Sequence, residues 1–160
     1  MIVLGIDPGL TKANPAGIAI VDTDAMRLIY SEALVYDGAD WEANLDKLAV
    51  TLASILASRK DIEGVAYEYA HYQKNVQVTI KLSHAGGLVR GLAALHALPC
   101  VAVQPVQAKI ALTGDRKAGK RAMIKATRLV FGAKVGKDEA DAVGVALAGE
   151  AMIREAALAG

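Results

Sequence analysis

Ile2-Val3-Leu4-Gly5-Ile6-Asp7-Pro8-Gly9 opens on a short apolar run and closes on an acid followed by a turn signal. The run is too brief for a helix, and Val and Ile favour a pleated chain, so residues 2–7 read as a buried strand. Pro8-Gly9 reads as the turn that ends it. Residues 17–22 (Gly-Ile-Ala-Ile-Val-Asp) make a second strand and residues 27–36 a third, joined by the polar turn Asp22-Thr23-Asp24. Short connections imply an antiparallel meander. From Asp40 to about Ser58, Leu45, Leu48, Leu52, Ile55 and Leu56 recur at helical spacing. A fourth strand follows at 64–69, with Glu68 near its end. A long helix over 76–97, stopped by Pro99, leads to a fifth strand at 100–103. A helix between strands four and five favours a parallel crossover. The expected architecture is an α/β fold: a mixed five-stranded sheet, three strands antiparallel and the rest parallel, with helices on both faces. A short helix after Pro105, a glycine-flanked basic loop at 113–119, and helices at about 119–131 and 138–158 complete it.

Composition sets outer limits. Hydrophobic residues make up 54% and charged residues 22% of 160 residues, which suits one domain spanning 1–160 and excludes a disordered chain. Apolar stretches are interrupted too often to cross a membrane. Met1 to Asp7 lacks a basic leader region and is expected to be a strand rather than a signal peptide. Cys100, the single cysteine, cannot form an internal disulfide, which points to a reducing cytoplasm. The long helix carries Gly86, Gly87 and Gly91, each costing about 1 kcal/mol relative to alanine. Such a cost suggests a close backbone neighbour, either a partner subunit or the sheet beneath.

Charge is unevenly distributed. Residues 1–73 hold 5 Lys/Arg against 11 Asp/Glu, whereas residues 105–137 hold 9 Lys/Arg against Asp115 alone. A polyanion docking on one side would explain this, as would a solvated basic helix face. Asp7 ends the first strand and Glu68 the fourth. If those strands are neighbours in the sheet, the two carboxylates lie side by side. Asp138 and Asp141 share one face at the start of the last helix. Glu139 points about 100° away from Asp138 and is left out. Four acids could thus converge at one end of the sheet. Clustered like charges are costly unless a cation sits among them. Oxygen ligands without Cys or His select Mg²⁺ or Mn²⁺, and two such ions about 4 Å apart suit phosphodiester hydrolysis. Each acid also has a plain structural use: Asp7 starting a turn, Glu68 at a solvated strand end, Asp138 as a helix N-cap with Asp141 three residues on in an acidic first turn.

Gly5-Ile6-Asp7-Pro8-Gly9-Leu10-Thr11 resembles the opening of the RuvC-type Holliday-junction resolvases. Glu68 with Lys74-Asn75, Lys81-Leu82 and Ala85-x-Gly87 is similar to that family's second block. Lys109, Gly114 and Lys120 fall where its basic third block lies. Asp138-Glu139-Ala140-Asp141-Ala142 resembles its closing signature. The resemblance implies an RNase H-like fold and a magnesium-dependent endonuclease that nicks opposing strands of a four-way DNA junction symmetrically, as a homodimer. It implies Asp7, Glu68, Asp138 and Asp141 as metal ligands. Lys109 and Lys120 would touch phosphate or assist the scissile group, and the 76–97 helix would form much of the dimer interface. A branch-migration helicase would be a further partner. His71, Tyr72, Lys74, Asn75, Lys81, Arg116, Lys117 and Arg121 complete the expected DNA-contacting set. They act chiefly through phosphates, with His71 or Tyr72 stacking on bases. Two departures stand out. Ala13-Asn14-Pro15-Ala16 lengthens the turn after Thr11, and His71 stands where the family often has Phe.

Three other readings remain: a broader branched or flap nuclease of the same fold, a non-cleaving junction-binding module, and an actin-like or sugar-kinase-like ATPase. The last is suggested by Asp7-x-Gly9-x-Thr11, but such proteins pair two related halves, and no second motif of that kind occurs here.

Overall fold

The computed structural model describes residues 1–70 and 75–160. Strands β1 (Ile2–Leu10), β2 (Pro15–Asp22) and β3 (Arg27–Ala33) form an antiparallel meander. Helix α1 (Trp41–Ser58) leads to β4 (Gly64–Glu68), α2 (Val76–Leu95) and β5 (Cys100–Val103). Helices α3 (Pro105–Thr113), α4 (Lys120–Phe131) and α5 (Lys137–Ala159) follow. β4 lies parallel to β1 and β5 parallel to β4, giving one five-stranded sheet in the order β3-β2-β1-β4-β5. The expected α/β architecture is therefore the observed one.

Strand alternation divides the interior into two cores. Leu4, Ile6, Ile18, Ile20 and Val65 join Leu48, Leu52 and Val89 of α1 and α2 on one face. Val3, Ala19, Val21, Ala66 and Val103 join α3, α4 and α5 on the other, through small residues such as Ala140, Ala142 and Ala146. The small side chains let α5 lie almost on the sheet. A β-carbon at Gly5 would sit 2.3 Å from the Ala142 carbonyl oxygen, and one at Gly17 would sit 2.0 Å from that of Asp138.

Boundaries differ from expectation in instructive places. β1 does not turn at Pro8-Gly9. Asp7 pairs with Gly17 and Leu10 with Pro15, so β1 carries one extra residue there, a bulge within a continuing strand. A proline is tolerated at a bulge because no ladder donor is lost. Gly9 is required, since a β-carbon would meet the Asn14 carbonyl oxygen at 2.2 Å. The bulge is anchored from the α1 side by Tyr36, whose hydroxyl donates to the Gly9 carbonyl at 2.7 Å, and by Asn44, whose amide donates to the Leu10 carbonyl at 2.9 Å. β3 ends at Ala33 because the chain turns inward to bury Tyr36. α2 ends at Leu95, where the His96 N–H closes on the Leu92 and Ala93 carbonyls, ahead of Pro99.

Of the three α2 glycines, only Gly86 serves close packing inside the chain: a β-carbon there would press on the Tyr67 ring at 2.9 Å. Gly87 and Gly91 face open space among the described residues. Among those residues no helix is long and apolar enough to cross a membrane.

Because the α5 contact is backbone against backbone, neither side can yield by rotating a side chain. Gly5→Ala and Gly17→Ala are each expected to cost about 1–3 kcal/mol. For a chain of this size that lowers the thermal midpoint by several degrees, measurable by circular-dichroism melting.

Candidate active site

Asp7 and Glu68 are brought together by register. Ile6 pairs with Tyr67 across the parallel β1–β4 ladder, so the next residue of each strand stands at the same level. Alternation turns Asp7 to the side of Gly5, and Glu68 to the side of Ala66, which is the face α5 covers. α5 begins above them. Asp138 lies in its first turn, where the helix dipole favours a carboxylate, and is only 7% exposed. Gly17, the β2 partner of Asp7, admits the Asp138 backbone directly over the sheet. Asp138 is not the helix cap. Gly136 is, and Glu139 supports it by accepting the Gly136 N–H at 2.7 Å. Glu139 also accepts the Ser31 hydroxyl at 2.8 Å, which occupies it away from the other acids.

Asp7, Glu68, Asp138 and Lys120 line a cavity of about 380 Å³. Lys81 and the β1–β2 turn residues Thr11 and Asn14 also line it. Electrostatics tie Asp141 to the same cluster. Burial holds the Asp7 carboxyl well above the usual range, and repulsion from Glu68, Asp141 and Asp138 adds to it. Burial, then Asp141, pushes Glu68 from its ordinary 4.5 to about 7, against the pull of Lys109 and Lys120. Asp141 is raised chiefly by burial, with Lys120 opposing. Lys120 Nζ stands 4.0 Å from Asp141 Oδ2.

Among the described residues no group of three or more His, Cys, Asp or Glu side chains already stands in ligating geometry. Asp7, Glu68 and Asp138 share the cavity, with Asp141 near enough to act on Asp7 and Glu68, without closing into a cage. The donor chemistry fits a hard divalent cation all the same: the four side chains offer only carboxylate oxygens. Their mutual repulsion in a buried setting is relieved by positive charge.

The other expected residues divide. Lys109, half-buried on α3, acts on Glu68 and Asp141. Lys81 reaches the cavity from α2. Asn75 caps α2, its side chain accepting the Gln77 N–H at 3.0 Å. Arg116, Lys117 and Arg121 are exposed and do not line the cavity. His71, Tyr72 and Lys74 lie outside the described residues. Sequence reading passed over Tyr69, which lines the cavity at 47% exposure, and Asn14. It also passed over Lys137, whose ammonium donates to the Ala13 carbonyl at 3.3 Å and ties the lengthened turn to α5. Adjacency to Glu68 and to Asp138 was the only signal for Tyr69 and Lys137.

A family model described as crossover junction endodeoxyribonuclease RuvC matches residues 3–149, a span that contains all four acids. The chain belongs to the RuvC family. The crossover junction endodeoxyribonuclease RuvC of Anaeromyxobacter dehalogenans is 32% identical over 92% of this chain and 79% of its own length. The structure of T. thermophilus RuvC in complex with Holliday junction substrate superposes with a TM-score of 0.81, at 27% identity, over 98% of this chain and 96% of that one. The yeast mitochondrial Holliday junction resolvase shares the fold at a TM-score of 0.60 and 14% identity, covering 96% of this chain and 80% of that one. The RNase H-like fold expected from the motifs is thus the fold of the RuvC structures.

A carboxyl whose folded pKa is raised keeps its proton longer in the folded than in the unfolded chain, so deprotonation costs stability. In EDTA the melting temperature should therefore fall as pH rises from about 4.5 to about 7, the window of Glu68, and level off above it. Glu68→Gln should flatten that fall. A melting temperature rising across the window would contradict the burial of the cluster.

Proposed function

We propose that this chain is a Holliday junction resolvase, a structure-selective endodeoxyribonuclease that hydrolyses phosphodiester bonds at four-way junctions by paired symmetric nicks. The observation that carries the reading is that Asp7, Glu68 and Asp138 line one cavity of a RuvC-family chain, with Asp141 near enough to act electrostatically on Asp7 and Glu68. A homologous protein of known structure is named for its complex with this substrate.

In this reading residues 1–160 form one nuclease domain, and the four acids hold Mg²⁺, with Mn²⁺ able to substitute. When bound, such an ion activates water and stabilises the leaving oxygen. The chain's own groups do the rest. Burial and repulsion keep Asp7 and Glu68 protonated to higher pH than usual, so cation entry displaces protons and affinity for the ion rises with pH. Lys120 and Lys109 draw the scissile phosphate toward the acids. Arg116, Lys117 and Arg121 hold neighbouring phosphates, giving affinity without sequence readout. Asn75 and Lys81 contact the DNA from α2, and His71, Tyr72 and Lys74, outside the described residues, complete the proposed DNA-contacting set.

Paired nicks require two sites, and the outer face of α2 suits a second copy. Gly87 and Gly91 leave it open, while Ile80 is 43% and Leu95 82% exposed. A branch-migration helicase and a cytoplasmic setting complete the picture. His71 in place of the family's Phe favours a second reading, a nuclease of broader branched-DNA range, and the same assay separates the two.

With Mg²⁺, labelled four-way junction should be cut at symmetric positions while linear duplex is spared; equal cutting of both would defeat the proposal. Cleavage of flaps as fast as junctions would favour the broader reading. Asp7→Asn should abolish cleavage yet retain junction binding in a mobility-shift assay. Lys120→Ala with Arg121→Ala should weaken binding and reduce its salt dependence by about one phosphate contact each.

A further inference from the structure

Trp41, the one tryptophan of the chain, opens α1 directly after Asp40, whose carboxylate caps the helix by accepting the Glu42 and Ala43 N–H groups. The ring packs on the core between α1 and α2. Two α2 residues straddle it. The Lys81 ammonium lies 5.5 Å from the ring centroid, inside the range of a cation–π contact. His84, one helical turn on, meets the ring edge-on at 5.5 Å and 67°. Lys81 is also a wall residue of the catalytic cavity.

Two cations thus line the cavity that holds Asp7, Glu68 and Asp138, Lys120 from α4 and Lys81 from α2, but their circumstances differ. Lys120, with Lys109, lowers the carboxyl pKa values, and its charge is engaged by the cluster. Lys81 makes no ion pair among the described residues. Its charge is held by an aromatic face, which stabilises the ammonium without neutralising it. A lysine side chain ordinarily loses much rotamer freedom on meeting a phosphate. One already held over a ring has lost part of it in advance.

We infer that Trp41 is a positioning residue, holding the Lys81 ammonium at the α2 wall of the cleft for a phosphate of the bound strand next to the one presented to the acids. This rests on the junction-nuclease reading above. His84 keeps the ring in the orientation that presents its face to Lys81.

The test is junction binding by fluorescence anisotropy in EDTA over a salt series, with wild-type cleavage in Mg²⁺ assayed separately. Trp41→Leu and Lys81→Met are each expected to weaken binding about three- to tenfold and to reduce the log–log salt slope by about 0.9, the share of one duplex phosphate. The double variant should be no weaker than Lys81→Met alone, and Trp41→Phe should restore most of the slope. A Trp41→Leu loss at unchanged slope, or one additive with Lys81→Met, would show that Trp41 only supports the fold and overturn the inference. Should Trp41→Leu not fold, the tryptophan emission decides. It should respond to junction in the wild type and not in Lys81→Met, and equal responses would overturn the inference. A wild type that neither binds nor cuts the junction fails the functional reading itself. A wild type that does both, beside a Trp41→Leu variant of equal affinity and slope, fails only this inference.

Discussion

Between Gly5 and Gly17 on the sheet and Ala142 and Asp138 on α5 there is no room for even one β-carbon. That contact is where the molecule commits its geometry. A helix resting backbone-first on β1 and β2 has no sliding freedom, because moving it by a residue would drive Ala and Val side chains into the sheet. The first turn of α5 therefore lies over the level at which β1 and β4 release Asp7 and Glu68. Small residues at Gly144 and Gly149 extend the same close seating along the helix, against Ala108 and Ala66. Carboxylates far apart in the chain meet because of glycine and alanine, residues that carry no chemistry themselves.

The close seating has an electrostatic consequence. Burial and the repulsion of neighbouring acids both raise the pKa values of Asp7, Glu68 and Asp141. The fold tolerates this because Lys120 and Lys109 approach from α4 and α3 and oppose the shifts. Stability is thus spent where binding of a cation and a polyanion can recover it, a pattern common at functional sites. Acid floor and basic walls are two halves of one arrangement.

Much of this was legible in the sequence, for identifiable reasons. Asp7, Glu68, Asp138 and Asp141 could be picked out because each sits at the end of a strongly patterned element, and such elements are read from periodicity. The juxtaposition of Asp7 and Glu68 followed once β1 and β4 were taken as neighbours. Asp7-Pro8-Gly9 was read as a turn because Pro-Gly normally is one; the bulge is dictated by Tyr36 and Asn44, which grip the carbonyls of Gly9 and Leu10 from more than twenty residues away. The early end of β3 has the same source, since Tyr36 must reach that position. The α2 glycines looked alike in sequence, yet Gly86 meets the Tyr67 ring while Gly87 and Gly91 face outward. The Trp41–Lys81 contact depends on how α1 crosses α2, which no local pattern encodes.

Anomalous diffraction from crystals soaked in Mn²⁺ tests the central claim most directly, since it locates the ion without reference to activity. Peaks should appear among the carboxylates of Asp7, Glu68, Asp138 and Asp141 and vanish in Asp7→Asn crystals. Manganese bound only elsewhere, with this cleft vacant in a protein that still cuts junctions, would contradict it.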